Sequence, residues 1–340
     1  MTKINIDNTQ YKAYTKCPLY WKEKYLNKVH KPVEGPRNDA LAIGVHFHSA
    51  LENVYSGKGF KSSEEVYAEY PLTPEAELEV MSMVEAYRVM YPGGPVEFNW
   101  IGLEDVLKKP SAFTGITFLA KLDGYFEVTE LTKAQDGLGG EIVLTPGIYG
   151  FETKTKLPRL DRGLYMKEWQ ADMQASFQIM TLEHTLGKSV NGILVNVIER
   201  PNVYQPRKTC NGCKELLPTY MYKIENSVYR CIRCGHGNQF KASQIPEPRV
   251  DPPVVWRFVV ERSKERLTRD RYDINTVAQL IQNKWFYANR QECVKTYQRK
   301  TCEYFEPHNA IVPVEALGWP GFVEFNPTQY LETNKETIDE

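Results

Sequence analysis

A chain of 340 residues that is 42% hydrophobic can bury a core, as one large domain with insertions or as two domains. Its formal charge of −1 excludes a global nucleic-acid signature, so any phosphate-binding surface has to be local. No apolar run has the length of a membrane span, and the polar start Met1-Thr2-Lys3-Ile4-Asn5 is unlike a signal peptide. The expectation is a soluble, intracellular, cytoplasmic protein with no membrane partner.

In chain order, residues 8–26 read as an aromatic-rich helix interrupted at Cys17-Pro18, and 39–55 as a second helix. In the second, Leu41, Val45, His48 and Glu52 share a face, taken as the inner one; His46 lies off it. Thr73-Pro74-Glu75 starts a third helix, with Thr at the N-cap and Pro at N1, which Pro92-Gly93-Gly94 stops. A β region follows, with strands expected over 100–106, 116–128, 141–145 and 149–156 and a turn at Asp136–Gly140. An amphipathic helix over 165–186 ends at Gly187, and 192–199 is an apolar run suited to a buried strand. After a Cys-rich segment come a strand over 254–260, a helix over 275–289, and an acidic tail beyond Trp319. The order of elements implies an α/β core.

The chemistry concentrates near Glu152-Thr153-Lys154. Residues i and i+2 of a strand share a face, so Glu152 and Lys154 point the same way, and a neighbouring strand could bring Asp123 to join them. Two carboxylates and an ammonium at one point suit a divalent ion beside a positive group that stabilises anionic oxygens. Alone, acid-x-Lys is weak, since alternating charges usually mark a solvated strand. Asp123 before Gly124 could simply start a turn, and Gln174 could be an exposed helix residue.

Four elements in order strengthen the reading: Gly44 to Glu52 with His48, Leu122-Asp123-Gly124, Glu152 to Thr155, and Gln174 on the next helix. Together with Tyr14 to Pro18, they resemble the PD-(D/E)XK nuclease superfamily, in particular its RecB-like branch of CRISPR-associated and phage exonucleases. The match departs at Ala120, where Gly is common, and at Gln178, where Tyr is usual. The stretch from Leu186 to Asn196 looks like phage members, so the resemblance covers about 10–200, with 250–310 a possible continuation.

The resemblance implies a restriction-endonuclease-like mixed sheet flanked by helices, with an N-terminal helical cap. It also implies Mg²⁺ or Mn²⁺ held by His48, Asp123 and Glu152 with the Thr153 carbonyl, and Lys154 as catalytic cation. Gln174 would orient Lys154 or a phosphate oxygen, and the reaction would be in-line phosphodiester hydrolysis. Imidazole ligation tilts the choice of ion towards Mn²⁺. DNA is the expected partner. The setting would be recombination, repair or phage DNA processing, in a bacterium or a phage-infected host.

Cys210-x-x-Cys213, then seventeen residues, then Cys231-x-x-Cys234 is the spacing of a Cys₄ zinc ribbon and the most specific single signal in the chain. A redox pair is the alternative for each Cys-x-x-Cys. Lys208, Lys214, Lys223, Arg230, Arg233 and Lys241, interleaved with Tyr220, Tyr222 and Tyr229, suit nucleic-acid contact; a solvated structural staple or docking of recombination or replication proteins is equally open. Cys17, Cys293 and Cys302 remain. In some RecB-like nucleases such cysteines hold a [4Fe–4S] cluster; here His308 stands at the expected fourth position, a set also suited to a second Zn²⁺ or to no metal.

The sequence therefore leads to a domain plan of helical cap and nuclease core over 1–204, ribbon over 205–248, the rest of the nuclease domain over 249–318 and an acidic tail over 319–340. The expected activity is metal-dependent DNA cleavage, as an exonuclease before a structure-specific endonuclease. The rival is a catalytically inactive zinc-ribbon adaptor that binds nucleic acid or protein. Basic stretches Lys154 to Lys167 and Arg257 to Arg271 could track the strand or be salt-bridged faces.

Overall fold

Val190–Glu199 is apolar almost throughout and finds burial on both faces, as the second strand of a five-stranded mixed sheet. The computed structural model describes residues 3–30, 39–59, 62–92, 98–113, 115–204, 207–218, 222–225, 228–238, 249–286, 294–295, 300–301 and 323–324. Among these, the chain runs β1 (Ile4–Ile6), α1 (Asn8–Lys16), α2 (Pro18–Trp21), a π-helical turn (Lys22–Leu26), β2 (Val29–His30), α3 (Asp39–Tyr55), α4 (Glu64–Glu69) and α5 (Pro74–Met90). It continues through β3 (Asn99–Leu103), β4 (Val106–Pro110), β5 (Ile116–Lys121), β6 (Gly124–Val128), β7 (Thr132–Gln135), β8 (Glu141–Leu144) and β9 (Gly147–Lys156). Then come α6 (Arg162–Ala171), α7 (Met173–Leu186), β10 (Val190–Glu199), the ribbon strands described below, β18 (Val254–Val260) and α8 (Lys264–Gln282).

The large sheet has the order β18-β10-β9-β6-β3, with only β9 and β10 parallel. A second sheet, β1-β5-β4, packs on the far side of α7. That sandwiching explains why α7 is buried continuously from Ala175 to Leu182, its polar Ser176, Gln178 and Thr181 included. One core layer joins α7, α8 and both sheets. The other fills the opposite face of the large sheet with Ile43 and Phe47 of α3 and Val80, Met83 and Tyr87 of α5. The protein is an α/β structure with mixed sheets, and no helix among the described residues is long and apolar enough to cross a membrane.

Four expectations from the sequence need correction. The strand expected over 100–106 breaks at Glu104-Asp105, β3 ending at Leu103 in the large sheet and β4 starting at Val106 in the other. The run 116–128 is two strands in two different sheets, because the chain breaks at Leu122-Asp123: the Leu122 N–H donates to the Asp105 carbonyl (3.1 Å) and the Asp123 carbonyl accepts from Glu104 N (3.1 Å). The helix over 165–186 is likewise two. Asp172 adopts an extended backbone (ψ 135°) and caps α7 by accepting from Gln174 N at 2.9 Å. The helix expected at 275 starts instead at Lys264, where the Ser263 hydroxyl caps it. The domain boundaries and the acidic tail fall largely outside the described residues; within the tail, Val323–Glu324 pairs antiparallel with β2.

β18 is an edge strand, and the β7–β8 turn covers part of that edge. The Asp136 carboxylate accepts from Leu138 N (2.7 Å) and Gly140 N (2.9 Å), and its carbonyl accepts from Arg257 N (2.8 Å). Gly137 (φ 82°) lies against the Val255 carbonyl, whereas Gly139 (φ 94°) faces open space. Gly137→Ala is expected to cost about 3 kcal/mol, from backbone strain plus collision with β18, and Gly139→Ala about 1 kcal/mol from strain alone. Urea unfolding of the two variants checks the difference.

Candidate metal centre and catalytic cluster

β6 begins at Gly124 opposite Phe151, so the last half of β9 runs on without a β6 partner. Asp123 fills that place: its Oδ2 accepts from Thr153 N at 2.6 Å, where a ladder bond would otherwise go. His48 Nδ1 lies 3.3 Å from the same oxygen. The α3 face that carries His48 is not the core face. Ile43, Phe47, Ala50 and Leu51 are buried, while the His48 side chain is 30% exposed and turned to Asp123. His46 is the core histidine: Nδ1 meets the Ser62 hydroxyl at 2.7 Å and Nε2 the Tyr70 carbonyl at 2.6 Å.

Glu152 and Lys154 share a face of β9, as alternation requires, and that face meets α7. Lys154 Nζ and Gln174 Nε2 (2.8 Å) both bond Glu152 Oε1, and Gln178 Nε2 donates to Oε2 at 2.6 Å. Gln174 and Gln178, one turn apart on α7, thus clamp both oxygens of one buried carboxylate. Gln178 Oε1 is buried without a protein partner, an acceptor aimed at no donor.

Glu104 was not legible as a site residue. It follows β3 at φ 51°, a strained backbone for a non-glycine residue, and its carboxylate joins His48 and Asp123 in a group whose ligand atoms all lie within 4.8 Å of one another. Glu152 is not part of this group; it stands beside it, its charge acting on both His48 and Asp123. One imidazole and two carboxylates suit a hard or borderline divalent ion. Electrostatics point the same way. Burial and the Asp123 charge push Glu104 up to about 7, with Lys121 opposing. Burial disfavours the charged His48, but the Asp123 charge and hydrogen bond outweigh it and raise the ring. Burial also works against ionised Asp123, yet His48, Lys154 and the Thr153 N–H hold its pKa below the usual range. Crowded carboxylates that retain protons are groups a cation would relieve.

In the ribbon, β11 (Asn202–Tyr204) pairs with β17 (Arg249–Asp251), and between them β12 (Arg207–Thr209) and β13 (Leu216–Pro218) flank the first Cys pair. β14 (Tyr222–Glu225), β15 (Val228–Cys231) and β16 (Gly237–Asn238) frame the second. The two Cys-x-x-Cys turns have matching bonds, Lys214 N to the Cys210 carbonyl (2.9 Å) and Gly235 N to the Cys231 carbonyl (2.8 Å), with Lys214 and Gly235 both at positive φ. The Sγ atoms of Cys210, Cys213, Cys231 and Cys234 lie within 4.8 Å of one another, a set that could bind a metal such as Zn²⁺. Burial pushes the Cys210 thiol up, but the backbone N–H groups of Cys213 and Gly212 and the Asn238 amide bring it down to about 6. The Glu215 N–H lowers Cys213, yet burial and the neighbouring thiols carry it to about 11. Of the basic groups here, Arg233 pairs with Glu215, and Arg230 donates to the Gly235 carbonyl at 3.3 Å. Tyr229 packs on the cysteines, and Tyr220, Lys241 and the side chains of Tyr222 and Lys223 lie outside the described residues.

The other basic stretches divide. Lys156 sits 4.7 Å over the Tyr165 ring, Arg159 and Lys167 are exposed, and Arg162 is bound to Glu199 (2.6 Å). From 257 to 271, Arg257 is buried against Tyr91, and Arg262 and Arg266 surround the buried Asp270, whereas Lys264, Arg269 and Arg271 are exposed. Cys17 is buried, its Sγ accepting from Tyr20 N at 3.5 Å; Cys293, Cys302 and His308 lie outside the described residues.

Mn²⁺ should bind metal-free protein more weakly as pH falls below 7, by about tenfold per unit for each proton the ion must displace from Glu104 or His48. Glu104→Gln should flatten that dependence and weaken binding at pH 7.5, as read by calorimetry. Protein prepared without chelator should carry one zinc per ribbon by elemental analysis, and Cys231→Ser should lose it. The sequence matches no model of a known protein family and no curated protein.

Proposed function

We propose that the protein is a metal-dependent DNA nuclease of the PD-(D/E)XK type, with its site on a restriction-endonuclease-like sheet and a zinc ribbon inserted after β10. The observation that carries this reading is the convergence of His48, Glu104 and Asp123 beside the Lys154–Glu152 pair, where β9 runs on past the start of β6. His48, Glu104 and Asp123 would hold Mg²⁺ or Mn²⁺. When bound, the ion supplies Lewis acidity towards a phosphoryl oxygen and makes water a better nucleophile at neutral pH.

The chain's own residues account for the rest. Lys154 places a fixed positive charge where the phosphate gains negative charge during attack. Gln174 and Gln178 fix the Glu152 carboxylate, so that Glu152 can orient the attacking water and take its proton. Burial raises the Glu152 pKa, with Lys154 opposing and Asp123 reinforcing the rise, which makes it a better proton acceptor than an ordinary carboxylate. Thr153 N–H and His48 hold Asp123 in place before any ion or substrate arrives. Lys156, Arg159 and Lys167 offer the nearby basic groups for a DNA backbone.

Purified protein with Mn²⁺ or Mg²⁺ on linear, closed-circular and single-stranded DNA tests the proposal. Ends should be digested, with cleavage reduced about 10³-fold in Lys154→Ala and Asp123→Asn. Equal cleavage by the variants, or none by folded wild-type protein, sinks it; attack on closed circles would make the enzyme an endonuclease.

A further inference from the structure

Lys154 is not the only ammonium at the acidic cluster. Lys121, the last residue of β5, reaches it from the other sheet, with Nζ 2.8 Å from Glu104 Oε2. Its backbone is tied to the same site: Gln178 Nε2, which holds Glu152, also contacts the Lys121 carbonyl at 3.4 Å. Its side chain is 38% exposed, against 15% for Glu104.

As a surface ion pair alone this contact would contribute little. Charge balance gives it a larger role. Lys121 and Lys154 bring two ammonium groups, one from each sheet, to the carboxylates of Glu104, Asp123 and Glu152. Glu104, as a ligand to an ion held with His48 and Asp123, would have a second cation to pair with, and the Lys121 ammonium could then pair with a phosphodiester.

We propose that Lys121 is a second catalytic lysine, whose ammonium contacts the scissile phosphodiester and protonates the leaving oxygen. The proposal rests on the nuclease reading. In the step, the bond from water oxygen to phosphorus forms as the bond from phosphorus to the leaving oxygen breaks. The electron pair stays on the leaving oxygen and takes a proton from Lys121. Water's proton passes through Glu152 to solvent, and Lys121 regains one from solvent, so that diester and water give a monoester and an alcohol.

The test compares wild type, Lys121→Met and Lys121→Arg at saturating Mn²⁺ on two sets of DNA. One is unmodified; the other carries sulfur in place of the leaving oxygen at one linkage, made in both polarities, because a thiolate leaves without protonation. Mn²⁺ binding to the metal-free proteins is measured separately by electron paramagnetic resonance. Lys121→Met should lose about 10²-fold on unmodified DNA and less than about fivefold on the sulfur linkage. Its Mn²⁺ affinity should stay within about threefold of wild type, and Lys121→Arg should keep KM while losing kcat. An equal loss on both linkages overturns the proposal. So does a loss that disappears when Mn²⁺ is raised in a variant with weakened Mn²⁺ binding, since Lys121 would then only hold Glu104. Wild type that cuts DNA beside an equally active Lys121→Met removes this proposal alone, whereas wild type that cuts neither substrate removes the nuclease reading as well.

Discussion

The site depends on one hydrogen bond, from Thr153 N–H to the Asp123 carboxylate. It replaces a ladder bond at the point where β6 stops, and so fixes an acidic side chain against the backbone of β9. The break that frees Asp123 also ends β5 in the second sheet, which carries Lys121 to the cluster, and the β3–β4 turn delivers Glu104 through Glu104 N–H to the Asp123 carbonyl. Two sheets, α3 and α7 therefore meet at a short stretch of chain. A continuous strand over 116–128 would have paired Asp123 into the ladder and left no room for this convergence.

The buried carboxylate of Glu152 imposes the second constraint. An ionised carboxylate away from water needs several donors, and α7 supplies two amides on adjacent turns while Lys154 supplies charge. That requirement explains why α7 begins at Met173. The extended backbone at Asp172 restarts the helix just before Gln174 and so directs Gln174 and Gln178 at β9. Arg262 reinforces the joint by donating to the Trp169 and Asp172 carbonyls.

Much of the cluster was legible in the sequence because its members follow local rules. Period-two alternation put Glu152 and Lys154 on one face, and the Cys-x-x-Cys spacing located the four thiols that gather in the ribbon. Other features were not legible. Glu104 sits at a turn with positive φ in no recognisable pattern, and only the meeting of two sheets gives it neighbours. The apolar residues Leu41 and Val45 suggest that the His48 face of α3 is inner, yet Leu41 is exposed, because Ile43, Phe47 and Leu51 make the stronger stripe. Asp172 and Ser263 were readable as N-caps in principle, but the apolar periodicity ran across the first, and the charged run at the start of α8 masked the second.

The central claim is that these residues form a divalent-ion site next to the buried Glu152 carboxylate and its Lys154 partner. The most direct measurement is anomalous diffraction from crystals soaked in Mn²⁺. The account predicts a single strong peak within bonding distance of His48, Glu104 and Asp123, about 2.0–2.3 Å from each ligand atom. An ion bound elsewhere, or none at saturating Mn²⁺ with the three side chains in place, would contradict it.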